Sequence, residues 1–244
     1  MKITTTYPTW EDWVGNFLNM IELFNADCMA VMANYPDKYF DISLVDPPYG
    51  IGASKGTWGS SCRAKVTNYG KKEWDKQSPE QDYFTELRRV SKSQIIWGAN
   101  HFISKIPFDS SCWVVWDKLN GGTDFADCEL AWTSFSSAVR KFTFRWSGML
   151  QGDMKNKEER CHPTQKPVAL YKWPLTNYAK PGDKILDTHG GSMSSVIACI
   201  DGGFDMVCSE LDKDYFDAAV NRINKHVRQM DMFNERPEII IGNF

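Results

Sequence analysis

Short runs of apolar residues recur along the chain, at Ile21–Phe24, Phe40–Val45, Gln94–Trp97, Cys112–Trp116, Glu129–Thr133, Lys184–Leu186, Met206–Ser209 and Glu238–Ile241. Several are continuous rather than alternating, as strands covered on both faces should be. Between them the period changes. Pro79–Val90 places Tyr83, Phe84, Leu87 and Val90 on one face of a helix, with Ser78 as the predicted N-cap. Pro167–Tyr178 and Tyr215–Met230 read as helices, and Met193–Ile200 as a shorter one. Strands alternating with helices predict an α/β sheet with helices on both faces. Residues 50–76 carry no period, and a loop of that length points to a functional or disordered segment.

The chain has 244 residues, which suits one domain or one domain with a large insertion. A hydrophobic fraction of 42% excludes disorder as the main state. The longest stretch without a charged residue, Thr188 to Ile200, is 13 residues, too short to span a membrane as a helix. The N-terminal MKITTTYPTW lacks the apolar segment of a secretory signal. Seven cysteines without a CxxC pair predict free thiols in a reducing compartment and no metal site.

A formal charge of -3 argues against a polyanionic partner until it is mapped. Residues 50–76 carry Lys55, Arg63, Lys65, Lys71, Lys72 and Lys76 against Glu73 and Asp75, a net +4. Residues 137–166 carry Arg140, Lys141, Arg145, Lys155, Lys157, Arg160 and Lys166 against Asp153, Glu158 and Glu159, again +4. The remainder is then -11. Both basic segments interleave aromatics: Trp58, Tyr69 and Trp74 in the first, Phe142, Phe144 and Trp146 in the second. That composition suits phosphates together with flipped or single-stranded bases.

FDISLVDPPYG, residues 40–50, is the strongest chemical signal. An apolar strand delivers Asp46, whose carboxylate accepts hydrogen bonds, and Pro47 has a carbonyl but no N–H. Two adjacent acceptors match the two hydrogens of an exocyclic amine. Holding both hydrogens keeps the nitrogen lone pair out of ring conjugation and aims it at an electrophile, while Tyr49 offers a stacking ring. In open α/β sheets such a site lies beyond the carboxyl ends of the strands.

Residues 184–212, KILDTHGGSMSSVIACIDGGFDMVCSELD, read as strand, glycine turn, helix, strand and acid. Glu210 follows Asp187 by 23 residues, a position suited to ribose hydroxyls. An NAD-type unit would want G-x-G-x-x-G, whereas the turn offers Gly190-Gly191 followed by Ser192-Met193. HPTQKP, residues 162–167, opens a helix whose first N–H groups, with Lys166, predict an anion site. Asp27, closing the first strand, is either an N-cap or an acceptor for an adenine amine.

Together NAD (25–27), DPPY (46–49), HPTQKP (162–167) and LDTHGGS (186–192) resemble the amino-directed, S-adenosylmethionine-dependent DNA methyltransferases of the permuted β group. The likeness runs from about Ile21 to Asn224 and includes IIWGANHF (95–102) and WVVWDK (113–118). The resemblance implies a circularly permuted Rossmann-like fold with a mostly parallel sheet, one antiparallel strand and helices on both faces. It implies a single catalytic domain over residues 1–244, with 50–76 as a mobile basic loop at the site and 137–166 as a basic recognition insertion. Asp46, Pro47, Pro48 and Tyr49 would hold the flipped base. Asp27, Asp187, His189, Gly191, Ser192 and Glu210 would hold the cofactor, with Thr164 and Lys166 near its methionine carboxylate. Lys55, Arg63, Lys65, Lys71, Lys72, Arg140, Lys141 and Arg145 would meet DNA. Localisation would be cytoplasmic, in a bacterial or phage-infected cell, beside a restriction nuclease or in a phage, with a homodimer left open.

Two departures shape this expectation. The family's turn usually reads D-x-F-x-G-S-G-T, and here His189 replaces the Phe and Met193 the second glycine. Either the helix begins by Ser192, which makes Met193 acceptable, or cofactor affinity suffers. The Asp of DPPY favours adenine N6 over cytosine N4. The rival readings are a catalytically impaired DNA-binding homologue, a nucleotide-binding oxidoreductase, and a methyltransferase acting on RNA or a protein amide.

Overall fold

The computed structural model describes residues 19–53, 72, 74–121, 126–147, 150–229 and 237–242. Nine strands make one sheet: β1 (Met20–Phe24), β2 (Phe40–Val45), β3 (Ser91–Trp97), β4 (Trp113–Asp117), β5 (Cys128–Thr133), β6 (Arg140–Thr143), β9 (Lys184–Asp187), β10 (Asp205–Ser209) and β11 (Glu238–Gly242). A small hairpin, β7 (Trp146–Ser147) and β8 (Leu150–Gln151), stands apart. Across the sheet the order is β11-β1-β10-β9-β2-β3-β5-β4-β6. Within this sheet, among the described residues, only β5 runs against its neighbours. All eight strands expected from the apolar runs are present. Among the described residues no helix is long and apolar enough to cross a membrane.

Helices cover both faces. On one, Ile42 and Leu44 of β2 pack with residues of α3 (Val168–Tyr178), α4 (Ser194–Gly202) and α5 (Lys213–Gln229). On the other, Phe40 and Val45 meet α1 (Cys28–Met32) and α2 (Gln81–Val90). The chain leaves β9 through α4 to β10 in one direction, and β2 through α2 to β3 in the other. β9 and β2 are themselves paired, Ile42 opposite Ile185 and Ser43 opposite Leu186. The sheet's topological switch point therefore lies between the carboxyl ends of β2 and β9, where Asp46 and Asp187 emerge.

Three local expectations are corrected. Helix α2 is capped by the backbone of Glu80 rather than by Ser78, whose hydroxyl accepts from Lys105 Nζ at 3.1 Å instead. The strand β6 and the β7–β8 hairpin were not foreseen, because β6 is nearly all exposed and lacks an apolar run. Helix α4 begins at Ser194, not by Ser192, and its N-cap Met193 sits in the left-handed region with φ +54°.

Met193 thus keeps the backbone conformation that a glycine would adopt. Holding a side chain there costs roughly 1–2 kcal/mol. The side chain is fully buried in the core, and truncating a buried Met typically costs about 2–5 kcal/mol. Burial wins. Met193→Gly should therefore lower stability in chemical denaturation by up to about 4 kcal/mol, the difference of those terms. A stability gain would show that backbone strain outweighs packing.

Candidate active site

At the end of β2 the chain enters Asp46-Pro47-Pro48-Tyr49. The Tyr49 ring lies in a slot over Gly98, where a Cβ would fall 1.9 Å from the ring. Gly98 also adopts φ +69°, so its missing side chain serves both the turn and the ring. His101 stacks on Tyr49 with centroids 4.8 Å apart and planes 15° from parallel. The Tyr49 hydroxyl turns back to donate to Asp46 Oδ1 at 2.8 Å and approaches Glu129 Oε2 at 3.2 Å.

A buried charge cluster surrounds this tyrosine. Lys166 Nζ contacts Asp46 Oδ2 and lies 3.4 Å from Glu129 Oε2, while Lys118 contacts Glu129 Oε1. Two carboxylates and two ammonium groups balance. Burial pushes the Asp46 carboxyl up, against the pull of Lys166. Burial acts on Glu129 too, but Lys166 and Lys118 overcome it and bring that carboxyl down to about 2. Glu129, Lys118 and His101 escaped the sequence reading. The only sequence trace of Glu129 is an acid at the start of β5, 83 positions from Asp46 and facing Trp116 in register.

Lys166 corrects one expectation. Its ammonium sits on Asp46, and the N-terminus of α3 does not offer a ready anion site. There the backbone N–H of Val168 donates to Glu158 Oε1 at 2.9 Å, and Glu158 Oε2 pairs with Arg222 at 2.7 Å. An internal carboxylate already complements the helix end. Thr164 lies beside His162, its N–H 3.3 Å from His162 Nδ1, and burial, with Lys166 nearby, lowers that imidazole to about 3.

The glycine turn closes against β10. The Gly190 N–H donates to the Ser209 carbonyl at 2.8 Å, and a Cβ on Gly190 would fall 2.6 Å from Cys208 Sγ. Gly191, at φ +52°, donates its N–H to Glu210 Oε2 at 2.7 Å, and Glu210 Oε1 accepts from the Asp212 N–H at 2.8 Å. Glu210 is therefore fixed at the strand end by one bond to each oxygen. Ser192 Oγ meets Ser194 Oγ at 3.2 Å, and its carbonyl accepts from Arg222. His189, lowered to about 4 by burial, is neutral at pH 7, bonded to Thr188 Oγ1 and edge-on to Tyr83.

Asp187 lies beneath the turn rather than on its surface. Oδ1 accepts from the His189 N–H at 3.0 Å and Oδ2 from the Ser195 hydroxyl at 2.6 Å, with the residue 1% exposed. Both oxygens serve the turn, so Asp187 shapes it rather than facing a ligand. Asp27 resolves towards its N-cap alternative: Oδ1 accepts from the N–H groups of Met29 and Ala30 in α1. The residue remains exposed beside Glu210's strand.

Arg140, Lys141 and Arg145 are exposed on and just beyond β6 at the sheet edge, with Lys141 3.3 Å from Asp117. Lys72 pairs instead with Asp212 and Asp214 at the start of α5. Lys55, Arg63, Lys65 and Lys71 lie outside the described residues, as do Trp58 and Tyr69. The other aromatics are not free stacking platforms. Trp146 is buried and donates to the Gln165 carbonyl, Phe142 stacks with Phe144, and Trp74 packs on His162.

Burial raises the Asp187 carboxyl to about 7, against the hydrogen bonds from Ser195 and His189. A carboxyl raised in the folded state contributes stability that is fully present below its ordinary value near 4 and lost as pH rises to 7. Asp187→Asn should thus gain on the wild type between pH 4 and 7, by at most ~1.4 kcal/mol per pH unit, and level off above. Urea titrations across that range check it, and a constant difference would contradict it.

Comparison with known proteins agrees with this architecture. A family model described as DNA methylase, of the N6/N4 methyltransferases, matches residues 110–221. The Type II methyltransferase M.HinfI of Haemophilus influenzae is 26% identical over 87% of this chain and 70% of its own length. In fold the chain resembles the crystal structure of the M1.HpyAVI–SAM complex, with a TM-score of 0.54, 20% identity and coverage of 84% and 100%. It also resembles the PvuII cytosine-N4-specific DNA methyltransferase, with a TM-score of 0.54, 11% identity and 89% of each chain covered. The sheet, the DPPY strand end and these matches make the chain similar to the N6-adenine/N4-cytosine DNA methyltransferases.

Proposed function

We propose that this chain methylates the N6 amine of an adenine flipped out of DNA, with S-adenosylmethionine as the methyl donor. One observation carries the reading: the Asp46 carboxylate and the Pro47 carbonyl emerge at the switch point, next to the glycine turn of β9. When bound, S-adenosylmethionine supplies a methyl made electrophilic by its sulfonium.

The residues present fit that cofactor. The three atoms nearest a Cβ on Gly191 all belong to the His162 ring, none closer than 3.8 Å, so the turn has room on its outer side for a nucleoside. Glu210 keeps acceptor capacity on both oxygens beyond its two backbone bonds, suited to ribose hydroxyls. Asp187 and Ser192 shape the turn, His189 fills its side as a neutral ring, and exposed Asp27 borders it. Thr164 would stand near its methionine end.

Asp46 and Pro47 accept the two amine hydrogens and hold the nitrogen lone pair towards the methyl group. Pro48 stiffens the turn, and Tyr49 frames the base. Alignment supplies most of the rate, since the donor is already activated. The aspartate in DPPY supports adenine. Arg140, Lys141 and Arg145, with the basic residues of 50–76, would meet the DNA backbone, and residues 137–166 would take part in target recognition within a single catalytic unit. A cytoplasmic role follows from this reading.

Asp46→Ala should reduce tritiated methyl incorporation into unmethylated genomic DNA by at least about 100-fold. Calorimetry should find S-adenosylmethionine affinity changed only a few-fold. Retained incorporation would refute the assignment of Asp46. DNA affinity should also fall more than about tenfold between low and physiological salt, as phosphate contacts require; a flat response would remove the basic segments from the account.

A further inference from the structure

Both oxygens of Asp46 are already engaged: Oδ1 accepts from the Tyr49 hydroxyl and Oδ2 from the Lys166 ammonium. An incoming amine competes with these donors. Each donor, however, has a second acceptor within reach, and it is the same atom. Glu129 Oε2 lies 3.2 Å from the Tyr49 hydroxyl and 3.4 Å from Lys166 Nζ. The other oxygen of Glu129 is held by Lys118, which fixes Oε2 on the side facing Tyr49 and Lys166.

We propose that Glu129 is a positioning residue: when the base amine enters, Lys166 and the Tyr49 hydroxyl shift from Asp46 to Glu129 Oε2. This rests on the reading above, in which Asp46 accepts the amine. No proton changes owner in the shift. Lys166 remains an ammonium, Asp46 and Glu129 remain carboxylates, and only hydrogen bonds are exchanged. In the empty site the cluster keeps a buried Asp46 ionised and oriented. In the occupied site one amine hydrogen reaches Asp46 and the other the Pro47 carbonyl, so Asp46 still has a hydrogen-bond partner. Glu129 is the more firmly ionised of the two acids and suits the receiving role. Lys118 keeps it neutralised throughout.

The test is single-turnover methyl transfer to unmethylated genomic DNA by wild type, Glu129→Gln, Lys166→Met and the double variant. Thermal melts and S-adenosylmethionine affinity are measured alongside. Glu129→Gln should slow transfer about tenfold or more with cofactor affinity within a few-fold, because Lys166 then stays on Asp46. Adding Lys166→Met should restore the rate several-fold, since the competing donor is gone. A merely structural cluster predicts the reverse, each change lowering melting and rate further. Glu129→Gln within twofold of wild type, or a double variant no faster than Glu129→Gln, overturns the proposal. Should Glu129→Gln fail to fold, Glu129→Asp carries the same comparison, its shorter carboxylate drawn back from Lys166. A slower rate restored by Lys166→Met supports the shift, and an unchanged rate overturns it. Wild type that places no label in DNA would defeat the methyl-transfer reading itself, whereas labelled DNA with an unrestored double variant defeats only the shift.

Discussion

One buried ammonium holds the site together. Lys166 lies between Asp46 and Glu129, and these three residues come from a loop before α3, the end of β2 and the start of β5. Removing either type of partner would strand a charge in a poorly solvated place, which costs several kcal/mol. Acids and lysines are therefore acceptable here only in balanced number. That requirement ties the DPPY turn, the antiparallel strand and the HPTQKP segment to one geometry.

The second constraint is the tight turn after β9. It passes so close to β10 that Gly190 has no room for a Cβ, and it is pinned from below by Asp187 and from the side by Glu210. Met193 completes the turn in a glycine-like conformation while filling the core beneath. The departure from the usual glycine therefore puts a core side chain at a left-handed position of the turn. The turn and the DPPY strand end face each other because β9 and β2 are neighbours at the point where the crossovers diverge. A donor on one and an acceptor on the other then need no further domain to meet.

Much of this was legible in the residues. Continuous apolar runs located the strands because a sheet covered on both faces leaves no polar alternation to confuse the period. The amphipathic face of α2 was visible as Tyr83, Phe84, Leu87 and Val90, all four buried. DPPY stood out because its function depends on adjacent residues. What escaped notice depends on residues far apart in the chain. Glu129 is an ordinary acid until the sheet brings it to Tyr49, and Glu158 gives no local sign that it will fill the end of α3. Lys166 was recognised as a site residue but given the wrong partner, since a helix N-terminus is a local feature and Asp46 lies 120 positions away. Asp187 reads from the resemblance as a cofactor residue, and sequence order does not reveal that both its oxygens hold the turn and α4 from beneath.

The central claim concerns a particular atom, the N6 nitrogen of adenine held by Asp46 and Pro47. Its most direct measurement is enzymatic digestion of DNA labelled by the protein with tritiated S-adenosylmethionine, followed by separation of the nucleosides. The account predicts label co-migrating with N6-methyldeoxyadenosine. Label in N4-methyldeoxycytidine, or in neither nucleoside, would contradict it.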